Sequence, residues 1–273
     1  MRLNHDEYLR IANYIQAHFG IHLTEQKKTL IQTRLDKVIK AHNFANYGQY
    51  LDYLELDTTG VADIELLNRI TTNHTYFYRE QKHFEFFRRV VIPYIKEKED
   101  AQRDIRIWSA GCSTGDEPYT LSILLKECLY SADRPWDMKI LATDISTHVL
   151  ELAKKGVYGV EQVEDLPDPW KRKYIKKQGP EQVQIASSIR ENVIFRRFNL
   201  MSPFPFRKRF HVIFCRNVMI YFDQQTKRDL IKRFYDVLEP GGYLFIGHSE
   251  TLDRKTSPFT YVMPSIYRKE ERY

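Results

Sequence analysis

Between residues 6 and roughly 69, apolar positions recur at helical spacing. Tyr8, Ile11, Ala12 and Ile15 make one stripe, which Gly20 closes. Thr24 with Lys27-Lys28 opens a second helix. It carries Leu30, Ile31, Leu35, Val38 and Ile39 on one face and Arg34, Lys37 and Lys40 on the other. Residues 47–54 and 63–70 predict two further short helices, so 1–75 reads as an all-helical N-terminal domain. A polar, aromatic stretch without periodicity follows at 71–80, then a helix over 82–95. From there the period switches back and forth. Strands are predicted at 105–110, 138–143, 192–198, 211–215 and 243–247, with helices at 117–130, 147–154 and 224–238 between them. That alternation predicts an α/β fold over 76–273, with a doubly wound, mostly parallel sheet. Residues 259–262 and 265–268, joined at Pro264, predict a terminal antiparallel hairpin. Residues 156–190 break the alternation. They read as an inserted β subdomain: a helical piece near 170–174 and a small antiparallel hairpin around Gly179-Pro180.

Composition narrows the class. With 273 residues, 42% hydrophobic and 29% charged, the chain can bury a sizeable core in one large domain or two smaller ones. No run of about 18 apolar residues suggests a membrane span. The opening MRLNHDEYLR lacks an apolar signal region and reads as the start of a helix. Cys112, Cys128 and Cys215 are scattered without metal spacing, as expected of reduced structural thiols in cytoplasm, and no metal site is predicted. The net charge of +6 points to an acidic partner, either nucleic acid or an acidic protein surface.

The richest segment for chemistry is 105–125, IRIWSAGCSTGDEPYTLSILL. Ile105, Ile107 and Trp108 supply a strand. Gly111 and Gly115 supply a turn that lets backbone approach a ligand. Pro118 suits the first turn of a helix, and Leu121, Ile123, Leu124 and Leu125 give that helix its apolar face. The loop lacks the lysine of a phosphate loop and the G-x-G-x-x-G of dinucleotide sites. Asp116 and Glu117 at the helix start would repel a pyrophosphate. Acids there suit hydroxyls and a cation, so S-adenosyl-L-methionine fits better than NAD or ATP. Asp144 ends the strand KILAT, where an acid can accept both ribose hydroxyls or simply cap the next helix. Asn199 could bond the adenine edge with Leu200 on its face, or be a polar turn residue. Residues 215–223, CRNVMIYFD, should floor the reactive methyl, with Tyr221 positioning an acceptor oxygen or merely packing. Arg79, beside Tyr76, Phe77 and Tyr78, could hold a carboxylate with two parallel bonds or lie solvated.

Taken together, the segments resemble the chemotaxis-receptor protein-glutamate O-methyltransferases, the CheR family. The carriers are TTNHTYFYRE at 71–80, WSAGCSTGDEPYTLS at 108–122, TDIS at 143–146, FNL at 198–200, FCRNVMIYFD at 214–223 and GGYLFIGHSE at 241–250. The resemblance implies transfer of the methyl of S-adenosyl-L-methionine to receptor glutamate carboxylates, leaving S-adenosyl-L-homocysteine. It implies cofactor contacts by Asn73, Thr75, Arg79, Glu117, Asp144, Asn199, Leu200, Arg216 and Asn217, with Arg79 and Tyr221 facing the transfer. It further implies a cytoplasmic enzyme whose helical domain, basic second helix included, and inserted subdomain meet the cytoplasmic helical region of methyl-accepting chemotaxis receptors. No membrane insertion and no nucleic-acid partner are expected. Members that tether to a receptor tail peptide carry a glycine-x-glycine turn in the subdomain; Gly179-Pro180 speaks against tethering here. Two other readings compete. A base-directed nucleic-acid methyltransferase commonly has an acid or asparagine followed by Pro-Pro-aromatic, and residues 216–221 contain no proline. A non-catalytic cofactor sensor is opposed by the presence of Arg79, Asp144 and Tyr221.

Overall fold

A computed structural model describes residues 2–71, 73–130 and 134–271. Four helices come first: α1 (His5–Phe19), α2 (Lys28–Ala41), α3 (Tyr47–Leu56) and α4 (Val61–Ile70). Asn4 and Glu7 cap α1 reciprocally, each side chain accepting from the other's backbone N–H. Gly20, in the left-handed region at φ 71°, ends it. Their apolar stripes face one another, and Tyr8, Leu35, Tyr50 and Leu67 are among the side chains buried in the shared core. The chain then runs through α5 (Gln81–Phe86) and α6 (Ile92–Lys98), joined by a π turn at Phe87–Val91. The widened turn sits just ahead of Pro93, which has no N–H to offer the Arg89 carbonyl.

The remaining elements are β1 (Ile107–Ala110), α7 (Asp116–Leu129), β2 (Ile140–Asp144), α8 (Thr147–Lys155), β3 (Val157–Gly159), α9 (Asp168–Tyr174), β4 (Ile175–Lys177), β5 (Gln182–Ile185), α10 (Ser187–Arg190), β6 (Val193–Arg197), β7 (Phe210–Cys215), α11 (Gln224–Val237), β8 (Leu238–Ile246), β9 (Thr260–Met263) and β10 (Ile266–Arg268). The main sheet runs β6-β2-β1-β7-β8-β10-β9. The first five strands of that order are mutually parallel, and β10 and β9 add antiparallel edges. Every residue of β1 and β7 is buried, as strands covered by helices on both faces must be. The predicted hairpin in the insertion is corrected to a three-stranded antiparallel sheet, β3-β5-β4. β3 is only three residues long and follows α8 directly, too short for alternation to register. A second correction concerns residue 238: the helix stops at Val237, and β8 starts at once rather than at 243.

β1 and β7 lie side by side, yet the chain proceeds from β1 toward β2 and β6, and from β7 toward β8. That reversal leaves a crevice at their carboxyl ends. The helical layer closes its far side. Ile21 and Phe222 form an isolated antiparallel bridge, and the His22 N–H donates to the Tyr221 carbonyl at 2.7 Å. Farther out, Gln16 Nε2 donates to Asp223 Oδ2 at 2.8 Å and Ser146 Oγ to Asn68 Oδ1 at 2.7 Å.

Candidate active site

The loop after β1 holds Gly111 and Gly115 at φ 87° and 95°, backbone that side-chain-bearing residues rarely adopt. At Gly111 size matters as well, because a Cβ there would sit 2.3 Å from a Val218 methyl in the loop after β7. Glycine lets the two loops close on each other. Beneath them, the N–H groups of Gly111 and Cys112 both donate to the Thr143 carbonyl at the end of β2. Burial pushes the Cys112 and Cys215 thiols well up, consistent with inert core cysteines.

Asp144 ends β2 and borders the crevice. Its Oδ2 accepts the Ser113 N–H at 2.8 Å and its Oδ1 the Ser146 N–H at 3.0 Å. Each oxygen keeps further acceptor capacity for a ligand hydroxyl. Burial pushes the carboxyl above its usual value, and the N–H donors of Ser146, Ser113 and Ile145 oppose that rise. The helix-capping alternative is divided between neighbours: Ser146 caps α8 through Val149, and Asp144 braces Ser146.

The two adjacent acids part company. Consecutive helical residues point about 100° apart, and α7 turns Asp116 inward. Asp116 is fully buried, with Oδ2 taking the Thr114 hydroxyl at 2.6 Å and Oδ1 without a partner, and burial raises its carboxyl. Glu117 alone faces the crevice. It accepts Ser109 Oγ at 2.7 Å and Arg216 Nη1 at 2.9 Å. The expected pair of acids for a cationic ligand is therefore corrected to one carboxylate, already bonded to an arginine.

Arg216 is the hub of the site. Its side chain is 3% exposed and bridges Glu117 to Glu80, at 2.9 Å and 3.0 Å, while Nη2 also donates to the Arg79 carbonyl. Arg216 was predicted as a cofactor contact; it lines the crevice, but Nε and Nη2 are committed to Glu80 and the Arg79 carbonyl. Burial raises the Glu80 carboxyl, but the Arg216 charge and the His248 N–H more than offset this and leave it below its usual value. Asn217, at φ 58°, donates its N–H to Glu250 Oε2, which also takes Gly247 N–H, while Oε1 takes Ile220 N–H. Burial raises the Glu250 carboxyl against those donors.

The other predicted residues gather around the same opening. Asn73 gives its carbonyl to Ser113 Oγ and its Nδ2 to Thr71 Oγ1, and Thr75 lies beside it on the lining. Arg79 bonds the His74 carbonyl at 2.9 Å and lies over Tyr76. Asn199 lines the crevice, yet its amide also bonds the His18 carbonyl and Met201 N–H, tying down the end of α1; Leu200 is nearly buried beside it. Tyr221 completes the opposite side, with Lys27 Nζ 5.5 Å from its ring centroid. All ten predicted site residues border one cleft of about 290 Å³. Thr72, within the 71–80 motif, lies outside the described residues.

The sequence pattern of the CheR methyltransferase SAM-binding domain matches residues 73–267, and that of the family's all-alpha domain matches 6–71. The chain belongs to the CheR methyltransferase family. A chemotaxis protein methyltransferase of Borreliella burgdorferi is 42% identical over 272 residues, 98% of this chain and 96% of that one. Those of Salmonella typhimurium and Escherichia coli are 34% and 33% identical, covering 98% of this chain and 91% and 92% of theirs. CheR membership makes S-adenosyl-L-methionine the cofactor and methylation in chemotaxis the activity.

The cleft's donor set fits that cofactor: a buried acid with spare lone pairs for hydroxyls, one carboxylate for the cationic end, and apolar Ile145, Phe198 and Leu200 for a flat base. Sequence reasoning assigned no role to Glu80, Glu250, Ser113 or Arg34. Glu80 and Glu250 stand inside quoted motifs; for Glu80 the need to neutralise a buried Arg216 was the available signal, and Glu250, which holds backbone N–H groups, had none. Arg34, placed by periodicity on the polar face of α2, lines the cleft and donates to the Ile70 carbonyl. Among the described residues, no helix is long and apolar enough to cross a membrane.

Proposed function

We propose that this chain methylates glutamate side chains in the cytoplasmic helical region of membrane chemoreceptors, forming methyl esters in chemotactic adaptation, and that it works in the cytoplasm. The observation that carries the reading is that Arg79 and Tyr221 border the same cleft as Asp144 and Glu117. Residues 76–273, insertion included, form the catalytic unit in this reading, and residues 1–75 meet the receptor. Asp144 would hold the ribose hydroxyls, Asn199 and Leu200 the adenine, and Glu117 the charged end, with Asn73, Thr75, Arg216 and Asn217 completing the enclosure. When bound, the cofactor supplies an electrophilic methyl.

The acceptor needs no base. A glutamate carboxyl ionises near pH 4.3, so at neutral pH it is already a nucleophile, though hydrated and poorly aimed. Arg79 and Tyr221 replace part of that hydration and point one oxygen inward. Orientation of this kind is worth on the order of 7 kcal/mol or more. Arg79 is anchored through one Nη to the His74 carbonyl, which leaves guanidinium donors for a carboxylate. A positional contact serves better than a tight one, since strong pairing would quench the nucleophile. The net charge of +6 favours an acidic receptor surface.

Incubation with methyl-labelled cofactor and either receptor fragments or nucleic acid tests the reading. Label on the receptor that base releases as methanol is expected. Base-stable label on nucleic acid, or none on any receptor fragment, would overturn it.

A further inference from the structure

Beside Arg216, the first and last motifs converge on a second cluster of titratable groups, none of which lines the cleft. Glu80 precedes α5, His83 lies three residues on in its first turn, and His248 follows β8. One ligand atom from each lies within 4.8 Å of the others. His83 is 1% exposed, and neither ring nitrogen has a hydrogen-bond partner. Its Nδ1 lies 3.3 Å from Glu80 Oε2 without hydrogen-bonding alignment. The His248 ring meets His83 edge to face at 4.7 Å and is exposed. A buried imidazole with neither nitrogen hydrogen-bonded calls for an explanation.

We propose that Glu80, His83 and His248 bind a borderline-soft divalent cation of the Zn²⁺ type. Two imidazoles and one carboxylate are the donor set that Zn²⁺, Ni²⁺ or Cu²⁺ takes, whereas Mg²⁺ and Ca²⁺ demand oxygen. Bonds of about 2.0–2.1 Å bring ligand atoms closer together than 4.8 Å. Exposed His248 supplies the movement by swinging onto the buried pair, and its exposed side leaves a fourth position open to water. Glu80 is already aimed, since Arg216 and the His248 N–H hold its carboxylate, the outer-shell support that metal ligands need. Arg216 also neutralises Glu80, which weakens purely electrostatic binding and favours cations that bond imidazole strongly. The ion shares Glu80 with Arg216, so its site adjoins the anchor of Glu117.

The test is calorimetry of the full, tag-free chain with ZnCl₂ in excess Mg²⁺, together with visible absorption after Co²⁺ addition. Uptake of one Zn²⁺ per chain and Co²⁺ ligand-field bands are expected. His248→Ala, a surface change that leaves the circular dichroism spectrum intact, should weaken Zn²⁺ at least about tenfold and remove the bands. His83→Asn should do the same. No Zn²⁺ uptake by the unaltered chain, or uptake that His248→Ala leaves unchanged, would overturn the proposal.

Discussion

The two walls of the cleft are built on different principles. On the sheet side, every charged group is fastened. Asp144 accepts two backbone N–H groups, Glu117 and Glu80 share Arg216, and Glu250 takes three backbone N–H groups from the loop after β7 and the end of β8. On the helical side, Arg34 is fastened to the Ile70 carbonyl, but the lining also includes Leu23, Lys27 and Leu30, with Leu30 45% exposed. That wall is joined to the sheet side through a few hydrogen bonds, including His22 to Tyr221 and Asn199 to His18. A wall that meets the same small molecule in every cycle gains from fixed partners, because no reorganisation is needed when charge shifts. A wall that meets a protein surface gains from exposed apolar and cationic side chains that can still adjust.

If that contrast holds, changes to the fastened charges of the sheet side damage stability and cofactor binding, whereas changes at Tyr221 or on the helical side damage only acceptor use. Arg216→Met is the harshest break. It strands Glu80 and Glu117 without their cation and should cost about 3–5 kcal/mol in denaturant unfolding; a loss under about 1 kcal/mol would mean the clamp is not structural. Asp144→Ala comes next. Losing charged bonds worth about 1.5–3 kcal/mol each should weaken the cofactor on the order of 100-fold by calorimetry, with receptor-fragment affinity unchanged. Tyr221→Phe sharpens the boundary between the walls: turnover should fall about tenfold while cofactor affinity stays within about twofold. Lys27→Glu should raise the receptor KM about threefold, leave the cofactor untouched and shift stability by less than about 0.5 kcal/mol. Weakened cofactor binding in that variant would erase the distinction.

A pH series separates two of the site's acids, Asp116 and Glu80. Asp116 has a folded-state value above its unfolded one, so its burial costs stability once pH rises past the unfolded value, near 3.9. Asp116→Asn should therefore raise Tm at pH 7 by about 2–4 °C, with the gain vanishing below about pH 4. Glu80 behaves oppositely. Its value is depressed, so its contribution stands above the unfolded value, near 4.3, and disappears as pH falls through the folded one. A matched thermal series with Glu80→Gln should lose its deficit on acidification.

What could be read along the chain was whatever repeats or turns locally. The switch from helical to strand period marked nearly every element of the parallel sheet, and Gly111, Gly115 and Pro118 announced the loop and helix that bear the site. Of the ten candidate residues, Asp144, Asn199, Leu200 and Tyr221 were legible because they follow strand ends, where an open sheet collects its ligand contacts, and Arg79 because it stands in an aromatic stretch; the other five came from the motifs that carry the family resemblance. Three matters were decided only in three dimensions. Asp116 and Glu117 look equivalent in sequence, and the phase of α7 sent one into the core and the other to the cleft. Arg216 meets partners 136 and 99 positions away, a separation no periodicity encodes. The pairing of β3 with β5 depends on a partner strand, since three residues carry too little pattern of their own. Propensity and period are properties of neighbours along the chain, whereas burial and charge compensation depend on distances through space that only the packed fold sets.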